Sequence, residues 1–296
     1  MKDVENKVCI ITGSASGLGK AYASKLLQNK AKVCLSDIDE KASETTLKEF
    51  QERFGKDRVC FIRCDVTKEE QFINLFDETE KIFDVKCVDL LVNNAGINSN
   101  LGWRKCFDVN VMGVMMGMEI ALDRMQKSPT KGEIINCASL AGFVTGSRAI
   151  GEAYYGSKHA CVTVSRNVAT DYSNTKVPIK CMCPGFANTA IINVQEEHQN
   201  QFNKEIDEFG LLEPDEVADA FYKLLTECGN GDTMGILKGL PIIIIPDYGR
   251  PGALLMLFIS VVVSKTTGIK LVTPVHLIMC ALILMAIIVI FFGWLI

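Results

Sequence analysis

The feature that most constrains the fold is an alternation of short apolar runs with stretches of helical length. The apolar runs predict strands over 8–12, 31–37, 59–65, 88–95, 133–139, 179–183 and 240–245. Amphipathic stretches between them predict helices, the first three over 17–29, 40–54 and 69–83. Because nearly continuous apolar strands need cover on both faces, the sequence predicts a single doubly wound parallel sheet of the α/β class, Rossmann-like, with right-handed crossovers.

Two local signals predict where helices begin. Thr67, followed three residues later by Glu70, has the pattern of a capping box for the third helix. Pro214 fits the first position of a further helix near the end of the domain.

The distribution of charge divides the chain into two parts. Hydrophobic residues make up 48% of the chain and the net charge is −4, so we expect a large core and no nucleic-acid-binding surface. Beyond Leu240 the only charged side chains are those of Asp247, Arg250, Lys265 and Lys270. We therefore predict a mildly acidic domain over 1–248, an apolar membrane-proximal segment over 249–274 and a transmembrane tail anchor over 275–296.

The predicted anchor follows Pro274. At about 1.5 Å per residue a helix over 275–296 would measure roughly 33 Å, close to the thickness of about 30 Å of a bilayer core. A buried core helix is the alternative, but a helix that is apolar all round would lack a partner once the sheet domain is complete. Lys265 and Lys270 lie only upstream, which predicts a domain facing the cytosol, with the endoplasmic reticulum as the expected membrane and other tail-anchor membranes left open.

The apolar run 253–263 is too short to span a bilayer alone. We expect it to lie at the membrane interface or to line a route from the bilayer, and a two-helix hairpin with the tail is the less favoured alternative.

The twelve cysteines predict a reducing compartment rather than disulfides, since the first residues lack the apolar core of a signal peptide. Several lie in apolar runs, where a thiol behaves as a small buried apolar group: Cys9, Cys34, Cys60 and Cys137. We expect no metal site. Cys181 and Cys183 lack the spacing of the usual zinc pairs, and the histidines, His159, His198 and His276, are far apart in sequence.

A glycine-rich segment, TGSASGLG over 12–19, follows the first predicted strand and opens directly into a helix. Its glycines allow a pyrophosphate to approach the backbone closely, and the helix N-terminus offers N–H donors. Eighteen residues after Gly19, Asp37 ends the second strand and can accept hydrogen bonds from ribose hydroxyls. No Arg or Lys occupies residues 13–19 or position 38, so the segment predicts NAD rather than NADP; the alternative for Asp37 is a helix N-cap.

Tyr154 and Lys158 lie one helical turn apart and therefore share a face of a predicted helix. A phenol is a poor base near neutral pH unless a neighbouring cation stabilises the phenolate. So short a pattern also arises by chance, and Tyr155 with His159 has the same spacing. We favour Tyr154 as the base because only Lys158 stays cationic through pH 7.

In their order along the chain, these motifs resemble those of the short-chain dehydrogenases/reductases over roughly residues 5–246. The glycine segment fits TGxxxGxG, the run Asn93-Asn94-Ala95-Gly96 fits NNAG, and Tyr154 with Lys158 fits YxxxK. Further matches fall at predicted strand ends, namely Asp65 with Val66, Ser139 in NCAS, and Pro184 with Gly185. Asn110 in FDVN and Thr189 complete the set.

The resemblance implies an enzyme that oxidises a secondary alcohol with NAD, with Tyr154 as general base. Ser139 would hydrogen-bond the substrate oxygen, Lys158 would stabilise the phenolate and hold the nicotinamide ribose, and Asn110 would support a water path to Lys158. Each of these groups also has a purely structural alternative, such as capping a strand end. The implied cofactor contacts are Gly13, Ser16, Gly17, Leu18, Gly19, Asp37, Asp65, Val66, Asn93, Ala95, Gly96, Tyr154, Lys158, Pro184, Gly185 and Thr189.

The short segment 97–103 resembles the NAD-dependent 15-hydroxyprostaglandin dehydrogenase branch, which implies a lipid-like secondary alcohol as substrate. The alternative is an alcohol dehydrogenase or ketone reductase of the same superfamily that acts on a sterol, retinoid or terpenoid. An alternative of another class is a non-catalytic, membrane-anchored scaffold that senses NAD.

Ser139 precedes Tyr154 by fifteen residues, more than is usual in the family, so the loop 143–152 is longer and substrate contacts cannot be transferred from relatives. The polar stretch 190–212 is expected to cover the substrate, or alternatively to form a solvated pair of helices. By resemblance, helices near 104–126 and 152–174 are expected to form a homodimer interface.

Overall fold

The computed structural model describes residues 1–145, 150–192 and 199–245, which belong to the compact unit Met1–Pro246. Within the described residues, eight strands form one sheet in the order β3-β2-β1-β4-β5-β6-β7-β8. They are β1 Val8–Thr12, β2 Lys32–Asp37, β3 Val59–Arg63, β4 Leu90–Asn93, β5 Glu133–Cys137, β6 Ile179–Pro184, β7 Thr233–Ile236 and β8 Ile243–Ile244.

Helices cover both faces of the sheet, as predicted. They are α1 Gly17–Gln28, α2 Glu40–Phe54, α3 Glu69–Ile82, α4 Trp103–Phe107, α5 Gly113–Lys127, α6 Glu152–Asp171, α7 Gln199–Phe209 and α8 Pro214–Glu227. One core layer packs α1, α2 and α8 against the strands, and Tyr22 of α1 stacks on Phe221 of α8 at 4.4 Å. The other core layer contains α3, α5 and α6, with Phe72, Phe76 and Met118 buried between helices and sheet.

The sheet departs from the prediction at one edge. Strands β1 to β7 are parallel, but β8 pairs antiparallel with β7, and β7 itself was not predicted. Its four residues, TMGI, carry too short a signal to be recognised. The connection 237–242 is too short for the crossover that a parallel pair requires, so the final strand has to turn back.

The predicted capping box at Thr67 is wrong, whereas the helix start at Pro214 is confirmed. The Thr67 hydroxyl donates to Asp65 Oδ1 at 2.7 Å, and α3 begins after Lys68 without a side-chain cap. Pro214 is the first residue of α8, and Glu213 and Glu216 form a capping box around it. Because α3 starts at Glu69, Lys68 rather than Thr67 is the residue that precedes the helix, and the Thr67 hydroxyl bonds Asp65 instead.

The apolar segment 249–274 and the predicted anchor 275–296 lie outside the described residues, as does part of each loop at 143–152 and 190–212. Within the part of the chain that the structure describes, no helix has the length and hydropathy to cross a bilayer. The described cysteines are free thiols. No cluster of metal-ligating side chains occurs among the same residues.

Candidate active site

The loop between β1 and α1 packs backbone against backbone. Gly13 has φ +66°, and a Cβ on it would lie 2.7 Å from Ala95 Cα. A Cβ on Gly19 would overlap the Gly13 carbonyl oxygen. The tight turn and the close approach of α1 to the loop therefore require glycine at both positions.

Thr12 and Asn94 hold this loop, and neither was among the predicted site residues. Thr12 Oγ1 accepts hydrogen bonds from the N–H groups of Asn94 and Ala95, both at 3.1 Å. Asn94 Nδ2 donates to the carbonyls of Thr12 and Gly13, both at 3.0 Å. The NNAG motif thus serves partly as a brace between β4 and the glycine loop.

The N-terminus of α1 is built to receive an anion. Ser16 precedes α1, yet its side chain makes no capping hydrogen bond, and no acidic residue lies in the first turn. Gly17 has φ +56°, and a Cβ there would lie 3.2 Å from Thr189 Cγ2, so the segment after β6 flanks the loop. Leu18, in the same turn, packs against the core layer that contains α1. Backbone N–H groups at a helix start with no competing side chain fit the pyrophosphate of a dinucleotide.

Asp37 is fixed at the end of β2 beside this loop. Its Oδ2 accepts the N–H of Ala15 at 3.0 Å and its Oδ1 accepts the N–H of Asp39 at 3.0 Å. The alternative role, capping α2, belongs to Asp39, whose Oδ1 accepts the N–H of Ala42. The two backbone N–H groups therefore fix the Asp37 carboxylate, whose remaining lone pairs can accept hydrogen bonds from a ligand beside the glycine loop.

Asp65 and Val66 follow the end of β3, on the same side of the site as Asp37. Burial raises the pKa of the Asp65 carboxyl, but the two hydrogen bonds from Thr67 outweigh it and hold the pKa below its ordinary value. The N–H of Asp65 donates to Gln71 Oε1 at 2.8 Å. Val66 lies against α5, since a Cβ on Gly113 would be 2.9 Å from Val66 Cγ2.

The Asn93 side chain points into the protein rather than toward the edge where the loop lies. Its Nδ2 donates to Asn136 Oδ1 at 2.9 Å, and a Cβ on Gly117 would overlap Asn93 Oδ1. The amide therefore joins β4 to β5 and α5. A dinucleotide contact by Asn93 would have to use its backbone.

Asn110 lies in a π-helical turn, Asp108–Met112, between α4 and α5. Its Oδ1 accepts the N–H of Ile97 and its Nδ2 donates to Ile97 O, both at 2.8 Å, with a further bond to Ser157 Oγ at 3.0 Å. A Cβ on Gly96 would lie 3.4 Å from Asn110 Oδ1 and from Lys158 Nζ. The wider turn thus brings Asn110 and Lys158 to the same glycine.

Tyr154 and Lys158 converge on one face of α6, as their spacing predicts. Lys158 is 4% exposed, its Nζ donates to Cys137 O at 3.0 Å, and it lies 5.6 Å from the centre of the Tyr154 ring. Burial lowers the pKa of Lys158, but the interactions with Tyr154 and nearby thiols outweigh it, so its pKa lies above the ordinary value. Lys158 is thus an ammonium at neutral pH.

The competing pair, Tyr155 and His159, has a different arrangement. His159 Nδ1 lies 2.9 Å from the backbone oxygen of Tyr155. This imidazole nitrogen is engaged by the helix backbone, whereas Lys158 Nζ lies beside the Tyr154 ring.

Ser139 joins the ends of β5 and β6. Its Oγ donates to Pro184 O at 3.3 Å and accepts the N–H of Ala141 at 3.1 Å, so it also caps the short turn Leu140–Gly142. A Cβ on Gly142 would lie 2.8 Å from Lys158 O, which brings this turn against α6. The next residue after Pro184, Gly185, donates its N–H to Ile236 O at 2.8 Å.

The predicted residues thus lie at the carboxyl edge of the parallel strands, except for the side chain of Asn93. One half of the site offers a helix start and a fixed carboxylate, and the other offers a hydroxyl, a phenol and a buried ammonium. This fold and site define a dinucleotide-dependent oxidoreductase.

The sequence profile described as short chain dehydrogenase matches residues 7–200, and the chain belongs to that family. The NAD(+) 15-hydroxyprostaglandin dehydrogenase of Homo sapiens is 33% identical over 247 residues, covering 79% of this chain and 91% of that protein. Zerumbone synthase of Zingiber zerumbet is 31% identical over 192 residues, covering 61% and 68%. The crystal structure of levodione reductase matches with a TM-score of 0.71 at 25% identity, covering 79% of this chain and 97% of that chain. The protein is an oxidoreductase, and its relatives support NAD as cofactor.

Proposed function

We propose that the protein oxidises a secondary alcohol on a lipophilic molecule to the ketone, with NAD as cofactor and Tyr154 as general base. The observation that carries the proposal is the buried Lys158 ammonium, fixed on Cys137 O and 5.6 Å from the Tyr154 ring. NAD, when bound, supplies the hydride acceptor.

The residues of the glycine loop would hold the dinucleotide. The uncapped start of α1 suits its pyrophosphate, and Asp37 suits the adenosine ribose hydroxyls. The Asp37 carboxylate would repel the 2′-phosphate of NADP, because both groups are negatively charged. Arg63, the partner of Asp37 in the β2–β3 register, is ion-paired with Glu40 at 2.9 Å. The Asp37 carboxylate and the pairing of the nearby Arg63 with Glu40 both favour NAD over NADP, since the arginine already has an anionic partner.

Proton removal is assigned to Tyr154. The Lys158 ammonium favours the phenolate, which accepts the proton of the substrate hydroxyl. Ser139 would orient the substrate oxygen, since its hydroxyl lies at the β5–β6 edge and can exchange its bond to Pro184 O for one to substrate. Asn110, held rigidly by Ile97 and adjacent to Lys158 across Gly96, would support proton passage to that lysine.

Two observations support a lipophilic substrate. The human relative is a 15-hydroxyprostaglandin dehydrogenase by name. The second lies in the predicted cover 190–212. Phe202 of α7 is buried, with its ring centre 5.4 Å from that of Phe186, and Phe209 at the end of α7 is 42% exposed. Aromatic side chains therefore follow β6 where the cover is expected. A terpenoid alcohol is the second candidate, favoured by the likeness to zerumbone synthase.

The test is turnover of a panel of lipid, sterol, retinoid and terpenoid alcohols with NAD and with NADP. We expect NAD reduction with at least one secondary alcohol. Tyr154→Phe should lower kcat by about 10²–10⁴-fold, because proton transfer is lost, whereas NAD should still bind through the glycine loop and Asp37. Tyr155→Phe is the matched control and should keep most activity.

Turnover that survives in Tyr154→Phe would show that another group is the base. A wild-type protein that binds NAD and turns over no alcohol in the panel would favour the scaffold alternative.

We also propose that residues 275–296 anchor the protein in a membrane, with the endoplasmic reticulum expected and the enzyme domain facing the cytosol. The segment contains no Asp, Glu, Lys or Arg, which supports this. A homodimer is proposed through the region 104–126 together with α6. Met112 and Met115, in the first of these regions, are 53% and 42% exposed, which suits a contact surface.

A further inference from the structure

Ser99 reaches from the loop after β4 to the first turn of α6. Its Oγ accepts the N–H of Tyr154 at 3.0 Å, and the same N–H also lies 3.1 Å from Gly151 O. The residue before α6 is Gly151, which has no side chain to cap the helix. The hydroxyl that α6 lacks at its own N-terminus therefore comes from a distant part of the sequence.

The contact between Ser99 and the start of α6 is close-packed. Gly151 has φ +87°, and a Cβ on it would lie 2.5 Å from Ser99 Cβ. The N–H of Ser99 in turn lies 3.4 Å from Ile150 O. Ile150 and Gly151, the residues just before α6, therefore contact both the backbone and the side chain of Ser99.

The residue before Ser99 makes a second connection, to the segment expected to cover the substrate. Asn98 Nδ2 donates to Ile191 O at 3.1 Å, and Asn98 Oδ1 accepts the N–H of Asn100 at 3.1 Å. Two adjacent side chains of one loop therefore bind the start of α6 and the segment that follows Thr189.

We propose that Ser99 is a positioning residue that acts as a remote N-cap of α6 and fixes Tyr154 relative to Lys158. Lys158 lies a turn further along α6 and is anchored on Cys137 O, whereas Tyr154 lies in the first turn, where helices fray. The register of the pair thus depends on the hydrogen bond to Ser99. The proposal rests on the proposed function in one respect, the role of Tyr154 as base.

The experiment compares full-length wild type, Ser99→Ala and Ser99→Thr. Amide hydrogen exchange of the peptide that contains Tyr154 measures the cap directly, and kcat and KM are measured with NAD and an alcohol of the panel. We expect Ser99→Ala to speed exchange in the first turn of α6 and to lower kcat by about 10- to 100-fold, with KM for NAD within about twofold. Ser99→Thr, which keeps the hydroxyl, should restore both.

Asn230→Ala is the control for lost stability. Asn230 bonds Ile179 N–H at 2.8 Å and Ala169 O at 2.7 Å, at the amino end of β6 and away from the site. It should lower the thermal midpoint at least as much as Ser99→Ala while kcat per folded enzyme stays unchanged.

The proposal is overturned if exchange near Tyr154 is the same in Ser99→Ala and wild type, or if exchange speeds up and kcat does not fall. An equal loss of kcat in Asn230→Ala would also overturn it, since stability alone would then explain the loss. If wild type turns over no alcohol, the proposed function fails, and the exchange measurement by itself decides whether Ser99 caps α6.

Discussion

Asp37 and Asp39 lie two residues apart after β2 and hold different hydrogen bonds. Asp37 accepts the N–H of Ala15 in the glycine loop, whereas Asp39 accepts the N–H of Ala42 in the first turn of α2. One carboxylate is thus tied to the proposed cofactor site and the other to a helix start. Their different bonding permits a matched test of charge at the site.

We expect Asp37→Asn to raise KM for NAD by about 10-fold or more and to bring KM for NADP closer to it. The amide accepts ribose hydroxyls less well than a carboxylate, and it no longer repels a 2′-phosphate. The measurement is steady-state kinetics with both cofactors.

Asp39→Asn removes the same charge but keeps a good N-cap, so it should alter neither constant by more than about twofold. Equal effects of the two substitutions would mean that general charge, not contact with the ribose, sets the preference.

At the scale of elements, three buried polar side chains hold the centre of the sheet to its helices. Asn136 of β5 accepts from Asn93 Nδ2 at 2.9 Å and donates to Ser165 Oγ at 2.9 Å. Asn93 and Asn136 lie opposite each other in the β4–β5 register, and Ser165 lies on α6. The network therefore joins two strands to the helix that carries Tyr154 and Lys158.

Asn136→Ala should lower the free energy of unfolding by about 2–4 kcal/mol, because it leaves the buried Asn93 Nδ2 donor and the buried Ser165 Oγ acceptor without this partner. Ser165→Ala, which leaves the Asn93–Asn136 bond intact, should cost about 1 kcal/mol. Denaturant unfolding of the purified proteins measures both. A smaller loss for Asn136→Ala than for Ser165→Ala would contradict the shared network.

Elements with strong local signals could be predicted from the sequence, and those set by contacts distant in sequence could not. The helix over 40–54 and the strand over 8–12 match the structure residue for residue, since apolar periodicity and flanking turns determine them. Thr67 fits a capping pattern but binds Asp65 instead. Asn94 and Ser99 were missed because their partners, Gly13 and Tyr154, lie far along the chain.

At the scale of the whole molecule, the sheet gathers both halves of the site at one edge. The carboxyl ends of β1 and β2 supply the glycine loop and Asp37, and those of β5 and β6 are bridged by Ser139. Strand order places β1 beside β4, where the chain reverses direction across the sheet. The order of the strands therefore determines where the site forms. A single motif indicates a function only when it lies at the carboxyl end of the appropriate strand.

The charge pattern of the whole chain leads to the last prediction. The segment 271–296 contains no charged residue, so the full-length protein should remain with membranes after a high-pH carbonate wash. Replacing Leu284 and Ile288 together by Lys should release it, because each lysine near a helix centre costs about 2.5–3.5 kcal/mol on insertion. The double alanine variant at these positions should stay with the membrane.

Turnover per molecule should persist in the released variant, since the described site lies in residues 1–245. Retention of the double lysine variant would show that another part of the chain holds the membrane.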